Sequence, residues 1–429
     1  MKLLCVGDIH LGRQPSRLPE GVLDEIRAGD LGPAAAWTRA VDFALDAEAD
    51  AVLLAGDVVE QEDDFYEAYG DLRRGVDRLA AAGVPVLAVS GNHDVQVLPR
   101  LADAVPGFRL LGRGGEWEVE EVSGRDGRRV RVLGWSFPER RVLTSPLAAH
   151  ELPALDSGIG PVIGLLHCDR DATGSPYAPV RASELESTPV DAWLLGHIHK
   201  PDALAPPRPI GYLGSLTGLG PGEAGPRGPW LLESDGTELS LQHLPLAPLR
   251  WEELDVPLDE LEAGEDVHGL AVAALEALHE RISAGRFHPR AVGCRLRFTG
   301  RTPHRKEVER SLAAGDPLRV VHAREGIVYF VHDWRMAARP ALDLDELARG
   351  ADPPALIARK VLLLRRPAGD PERSSLLAGA RQRLEALSGR RSFAAHGLAP
   401  PPDAELSELL ERAALGVLDE LMAQRRDPA

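Results

Sequence analysis

The sequence predicts an α/β fold of the layered α+β kind, a two-sheet β-sandwich flanked by helices, with a small α/β capping domain and a helical C-terminal region. Three observations lead to it. Apolar runs of strand length alternate with amphipathic stretches of helical period over roughly the first 245 residues. Five of those runs end in short fragments rich in Asp, Asn and His, the place where open α/β sheets carry their sites. After Pro245–Glu253 a second, shorter strand–helix series begins and gives way to helical periodicity.

The first strand is Lys2–Val6, and Asp8-Ile9-His10 follows it. Ala34–Glu48 reads as a helix with Trp37, Val41, Ala44 and Leu45 on one face, leading into a strand at Ala51–Leu54 and then Gly56-Asp57. Glu67–Ala82 repeats the pattern with Leu72, Val76 and Leu79, before a strand at Val84–Val89 and Gly91-Asn92-His93-Asp94. These βαβ units predict parallel pairing. Trp117–Val122 and Val130–Trp135, joined by a Gly124–Arg128 turn, form a hairpin. A connector, Leu152–Gly160, precedes a strand at Val162–Leu166 and His167, and Ala192–Leu195 leads to Gly196-His197-Ile198-His199. Ile210–Leu213, Pro229–Glu233 and Leu239–Leu244 are short strands expected in a second sheet packed on the first. The capping unit has strands at Trp251–Val256, Ala291–Thr299 and Gly326–Val331, with helices at Val267–Ile282 and around His304–Ala313. In the tail, Leu406, Leu409, Leu410, Ala413, Val417, Leu418, Leu421 and Met422 define one face of a helix at Asp403–Gln424, which either docks on its own domain or meets a partner. The expected domains are 1–247, 248–338 and 339–429.

Composition bounds the function. A chain of 429 residues holds two or three cores. The net charge of −17 argues against a broad basic surface for nucleic acid, although bound divalent cations invert the potential of an acidic pocket. Cys5, Cys168 and Cys294 are too scattered for a disulfide framework; Cys168, beside His167, is the one with redox potential. No run approaches a membrane span and no signal peptide precedes the first strand, so the expected location is cytoplasmic.

The five polar fragments hold the nitrogen and oxygen ligands that a two-metal phosphoesterase needs. Asp57 is the bridging carboxylate; Asp8, His10 and His199 complete one site, and Asn92, His167 and His197 the other. This mixed shell suits Mn²⁺, Fe²⁺ or Zn²⁺ better than Mg²⁺, and the absence of cysteine ligands argues against a structural zinc site. Such ions acidify a bound water and hold a phosphoester oxygen. His93 and Asp94 are the candidate catalytic residues, His93 protonating the leaving group or stabilising phosphoryl oxygens, Asp94 orienting or charge-supporting a neighbour. Arg13 and Lys200 adjoin these loops and are candidate substrate contacts. A lone Asp-x-His is weak evidence; five fragments in order, each after a strand, are not. The other nine histidines fall in no such cluster.

The ordered fragments resemble the calcineurin-like metallophosphoesterase superfamily. Gly7–Arg13, Gly196–Pro201 and Gly214-Ser215-Leu216, followed by Glu223, Gly225, Arg227 and Gly228, resemble more narrowly the SbcD-type DNA repair exonucleases. Overall length and Leu296–Pro303 point to their YhaO-like branch. The likeness covers residues 1–245 well and weakens over 250–335. It implies the ligand set above, His93 as catalytic histidine, and Mn²⁺-dependent cleavage of DNA as 3′-to-5′ exonuclease and single-strand endonuclease. It also implies a homodimer and an SMC-like coiled-coil ATPase partner docked on the C-terminal helices. One stretch departs from the family: Val58-Val59-Glu60-Gln61-Glu62-Asp63-Asp64 replaces Phe-His and a Ser/Pro-rich loop, so acid stands where a phosphate-handling histidine is usual. That acid keeps two alternatives open: a phosphodiesterase or phosphatase for nucleotides or other small phosphoesters, and a mainly structural subunit of an ATPase complex.

Overall fold

The computed structural model describes residues 1–61, 64–155, 160–314, 322–388 and 401–426. Glu62 and Asp63 of the acidic run, and 156–159 of the connector, lie outside the described residues. In chain order the strands of the first part are β1 (Lys2–Val6), β2 (Ala51–Ala55), β3 (Val86–Val89), β4 (Phe108–Leu110), β5 (Trp117–Ser123), β6 (Arg129–Trp135), β7 (Val162–His167), β8 (Ala192–Gly196), β9 (Ile210–Tyr212), β10 (Trp230–Ser234) and β11 (Leu239–His243).

They form two sheets, a six-stranded one ordered β11-β10-β1-β2-β3-β4 and a five-stranded one ordered β5-β6-β7-β8-β9. β1 to β4 run parallel, as do β6 to β9. Nearly every residue of β1, β2, β7 and β8 is buried, because parallel sheets are covered on both faces. Alternation along each strand divides the core. Leu3, Cys5, Leu53 and Ala55 meet Val130, Val132, Ile163, Leu165 and Leu194 between the sheets. Leu4, Val6, Val52 and Leu54 face the other way and pack under Trp37, Val41, Leu72 and Val76 of the helices Pro33–Asp46 and Phe65–Ala81. Each such fully buried large side chain contributes about 1.5–3 kcal/mol. The first of those helices opens with Pro33, whose missing N–H costs nothing at that position.

Two placements differ from expectation. Pro229–Glu233 and Leu239–Leu244 were expected in the second sheet, yet both extend the first, β10 antiparallel to β1 and β11 antiparallel to β10. The pairing covers the edge of β1 and drops Trp230 and Leu232 into the intersheet core, where Trp230 Nε1 donates to the Leu213 carbonyl at 2.9 Å. β4 has no counterpart in the sequence reading, since it is three residues long and buries only Phe108. All three cysteines are buried core residues whose thiols burial pushes far above the usual range, which removes the redox reading of Cys168.

Later strands are β12 (Leu249–Pro257), β13 (Ala291–Thr299), β14 (Arg301–Thr302), β15 (His322–Arg324), β16 (Ile327–Met336) and β17 (Arg339–Pro340). β12-β13-β16-β15 make a third sheet, with Trp251 buried against Phe330. The chain separates into two compact units. The first contains both large sheets and most of the third: 1–256, 265–298 and 309–336. The second contains 257–264, 299–308 and 337–429. In it the helix Asp403–Arg426 packs Leu418 against Ala358 and Val361 of the helix Pro353–Leu364, while Asp419 pairs with Arg301 at 2.5 Å and also with Arg339. Leu409 and Val417 of the same helix stay exposed. Among the described residues no helix is long and apolar enough to cross a membrane.

Candidate metal centre

Asp8, Asp57 and Asn92 follow β1, β2 and β3, while His167 ends β7 and His197 and His199 follow β8. The candidate ligands therefore come from the carboxyl ends of strands in both sheets, not from the rim of one. Backbone bonds lock the loops together. The N–H groups of Ile9 and His10 both donate to the Asp57 carbonyl at 3.0 Å, and that of His197 donates to Asp8 Oδ1 at 2.9 Å. Asp8, His10, Asp57 and His197 all have positive φ, of 25°, 56°, 46° and 103°. Non-glycine residues avoid this region, and such strain persists where surrounding structure imposes it, as at active sites. Gly91 shows how tight the site is: a Cβ there would lie 2.2 Å from Asp57 Oδ1 and 2.8 Å from His167 Nε2.

Among the described residues three groups have ligand atoms close enough to share an ion: Asp8, His10 and His199; Asp57, His167 and His197; and His10, Glu60 and His93, of which the first two are made of the expected ligands. Asn92 Oδ1 lies 3.2 Å from His167 Nε2, beside the second group. The first two adjoin, with His167 Nδ1 3.9 Å from Asp8 Oδ1.

The chemistry of the donors calls for cations. His10 Nδ1 lies 2.7 Å from Glu60 Oε2, and His199 Nδ1 donates to Glu223 Oε1 at 2.8 Å. A carboxylate only accepts, so His199 Nδ1 carries the hydrogen of its bond to Glu223, while the His10–Glu60 contact is close without hydrogen-bond geometry. The Nε2 atoms of His10 and His199 face each other at 3.0 Å. Asp8 Oδ2 is fully buried with no donor. In the second group His167 Nδ1 donates to the Ala55 carbonyl at 3.1 Å, which turns Nε2 toward Asp57 Oδ2 at 3.3 Å and Asn92 Oδ1. Burial opposes a charge on His167, yet Asp57 and Asp8 overcome it and lift its pKa to about 9. Asp57 is in turn held below the usual carboxylate range, burial being outweighed by His167 and by His10 and His93. Several acceptors thus converge on the His167 ring. The residues present fit two divalent ions, with nitrogen and oxygen donors and no thiolate.

His93 stands beside His10, ring centroids 5.3 Å apart. Its N–H donates to Asp57 Oδ1 at 3.0 Å and its Nδ1 donates to the Glu60 carbonyl at 2.8 Å, which leaves Nε2 outside these contacts. Asp94 is fully buried and turned away from substrate: it accepts from the N–H groups of Gly91 (2.8 Å), Val58 (2.7 Å) and Val59 (3.4 Å). It is a clamp joining the loops after β2 and β3, its pKa raised to about 7 by burial and by the charge of Asp57. Arg13 reaches the rim, 3.6 Å from Glu60, whereas Lys200 is exposed and makes no ion pair among the described residues.

Sequence reasoning missed three carboxylates that steady the histidines. Glu60 was read as an acidic replacement unfavourable to DNA; its side chain serves His10 and its carbonyl serves His93. Glu223, noted only as part of a motif, serves His199 and also accepts from Ser215 Oγ (3.2 Å) and Leu219 N–H (3.0 Å). Asp169 lies 3.3 Å from His197 Nε2. Carboxylates backing ligating histidines fix tautomer and ring orientation. Only spacing within the motifs could have signalled them.

Fold and site together define a metal-dependent phosphoesterase, and the comparisons agree. Residues 1–201 match the calcineurin-like phosphoesterase family. Among relatives, the uncharacterized metallophosphoesterase YhaO of Bacillus subtilis is 26% identical over 283 residues, covering 61% of this chain and 64% of that protein. The DNA double-strand break repair protein Mre11 of Aeropyrum pernix is 30% identical over 232 residues, 51% of this chain and 54% of its own length. Mre11 of Haloferax volcanii is 28% identical over 277 residues, 60% of this chain and 56% of its own. The matched stretches thus span between about half and two thirds of those proteins.

Proposed function

We propose that the chain is a DNA nuclease, hydrolysing phosphodiesters with two divalent metal ions, Mn²⁺ first among them, as a 3′-to-5′ exonuclease and single-strand endonuclease. The observation that carries the phosphoester chemistry is the convergence of His10 Nε2 and His199 Nε2, 3.0 Å apart, beside the orphaned Asp8 Oδ2. The step to DNA is supported by the two Mre11 relatives, named for double-strand break repair.

In this reading Asp8, His10 and His199 would hold one ion and Asn92, His167 and His197 the other, with Asp57 as the carboxylate available to both. The ions supply an acidified water and offset charge at phosphorus. The chain supplies the rest. Glu60 and Glu223 hold the His10 and His199 rings so that Nε2 faces inward. Asp94 fixes the turn that carries Asn92 and His93. His93, anchored through Nδ1, delivers the Nε2 proton of its imidazolium form to the departing sugar oxygen and is left neutral with hydrogen on Nδ1. Arg13 draws the phosphate to the rim, and Lys200 adds positive potential there. A cytoplasmic setting, a homodimer and an SMC-like ATPase partner complete the proposal, supported by the resemblance to repair nucleases.

The test is digestion of end-labelled single- and double-stranded DNA by metal-stripped protein, with and without Mn²⁺, beside the His93→Ala variant. Mn²⁺-dependent shortening that disappears in the variant is the expected result. Protein that cleaves a simple phosphodiester but leaves both DNAs intact would transfer the reading to small phosphoesters.

A further inference from the structure

A groove of about 390 Å³ opens beside the first metal group, lined by Arg13, Arg17, Gly220, Gly222, Glu223 and Arg295. Its walls are braced: Ser16 N–H donates to the Leu219 carbonyl at 3.1 Å, and Glu223 N–H to that of Gly220 at 2.9 Å. It is continuous with the metal centre through two shared residues, Glu223, which holds His199, and Arg13, which lies against Glu60.

The charge in the groove is unusual for this chain. The molecule as a whole carries −17, yet three guanidinium groups gather here. Arg17 is exposed and has no carboxylate partner among the described residues. Arg295, on β13, has Asp333 at 3.0 Å. The carboxylate of Glu223 is engaged by His199, Ser215 and Leu219. The half-buried ring of His332 lies in the same field: burial, then Arg295 and Arg17 against the opposing Asp333, push its pKa down to about 4.

We infer that this groove is a subsite for a second phosphate, that of the nucleotide next to the scissile bond, held by Arg17 and Arg295 on the sugar–phosphate backbone of a nucleic-acid strand. The inference rests on the nuclease reading and deepens it. A small monoester or diester offers one phosphate, which the metal group takes, and leaves an arginine-lined groove with nothing to bind. A strand offers a phosphate at every step, and guanidinium is suited to bind each one. In a chain this acidic, local cations decide whether a polyanion can approach.

The experiment measures binding of fluorescein-labelled octathymidylate to Mn²⁺-loaded protein in a His93→Ala background over a range of salt concentrations. Arg17→Gln and Arg295→Gln are compared with Arg125→Gln, a cation beside Asp50 at the opposite end of β2 from Asp57. Each groove variant is expected to weaken binding and to reduce the slope of log K against log salt by about 0.7, one single-strand phosphate contact. Arg125→Gln is expected to leave the slope unchanged. A parent that binds with slopes untouched by Arg17→Gln and Arg295→Gln would overturn the groove and leave the nuclease reading standing. A parent that fails to bind the octanucleotide would overturn both.

Discussion

Glu60 shows how one residue steadies a site from outside the ligand set. Its carboxylate lies against His10 and its carbonyl accepts from His93, so it braces a candidate ligand and the candidate acid together. Glu60→Ala should weaken Mn²⁺ binding about 10- to 100-fold, the usual cost of losing a carboxylate behind a ligating histidine. Calorimetric titration with Mn²⁺ checks this, and an unchanged isotherm would reduce Glu60 to surface acid. His93→Ala should keep both ions and lower turnover about 10²- to 10⁴-fold, measured on a simple phosphodiester with metal content determined in parallel. The candidate ligands were legible because each interrupts chemistry: a charged or imidazole side chain directly after an apolar run. The supporting carboxylates were not, since one more acidic residue in a chain with 66 of them carries no local signal.

At the scale of elements, loops rather than strands set the geometry. The turns after β1, β2 and β8 place Asp8, His10, Asp57 and His197 at positive φ, while Gly56, at φ 89°, lets His167 Nδ1 approach closely. Gly91→Ala tests this crowding. Its Cβ would overlap Asp57 and His167, so the variant should lose bound Mn²⁺ while keeping its far-UV circular dichroism; a full metal complement would show that the turn yields easily. Strand positions and the flanking helices were legible from periodicity. Sheet membership was not. A strand buried on both faces reads as the same apolar run in either sheet, and nothing local in Trp230–Ser234 says that it pairs with β1, more than 220 residues earlier. The clamp formed by Asp94 was hidden for a related reason: its partners are backbone N–H groups, which every sequence offers.

For the whole molecule, acid sensitivity has sources outside the metal centre. His243 packs on Trp230, ring centroids 4.9 Å apart, and burial followed by Arg227 pushes its pKa down to about 4. His332 behaves alike. A folded pKa below the ordinary 6.5 means that the unfolded chain takes up the proton first as pH falls. Stability is therefore fully present above pH 6.5 and drains away between 6.5 and about 4. Urea unfolding of chelated protein should lose stability across that window, less steeply in His243→Gln, and identical slopes would locate the sensitivity elsewhere. The two-metal reading depends on a shared carboxylate, Asp57. The most direct measurement is elemental analysis of dialysed protein, wild type beside Asp57→Asn. Two ions per wild-type chain, with both lost together in the variant, is the predicted result. A wild type holding fewer than two ions, or an Asp57→Asn protein retaining both, would contradict the two-metal centre.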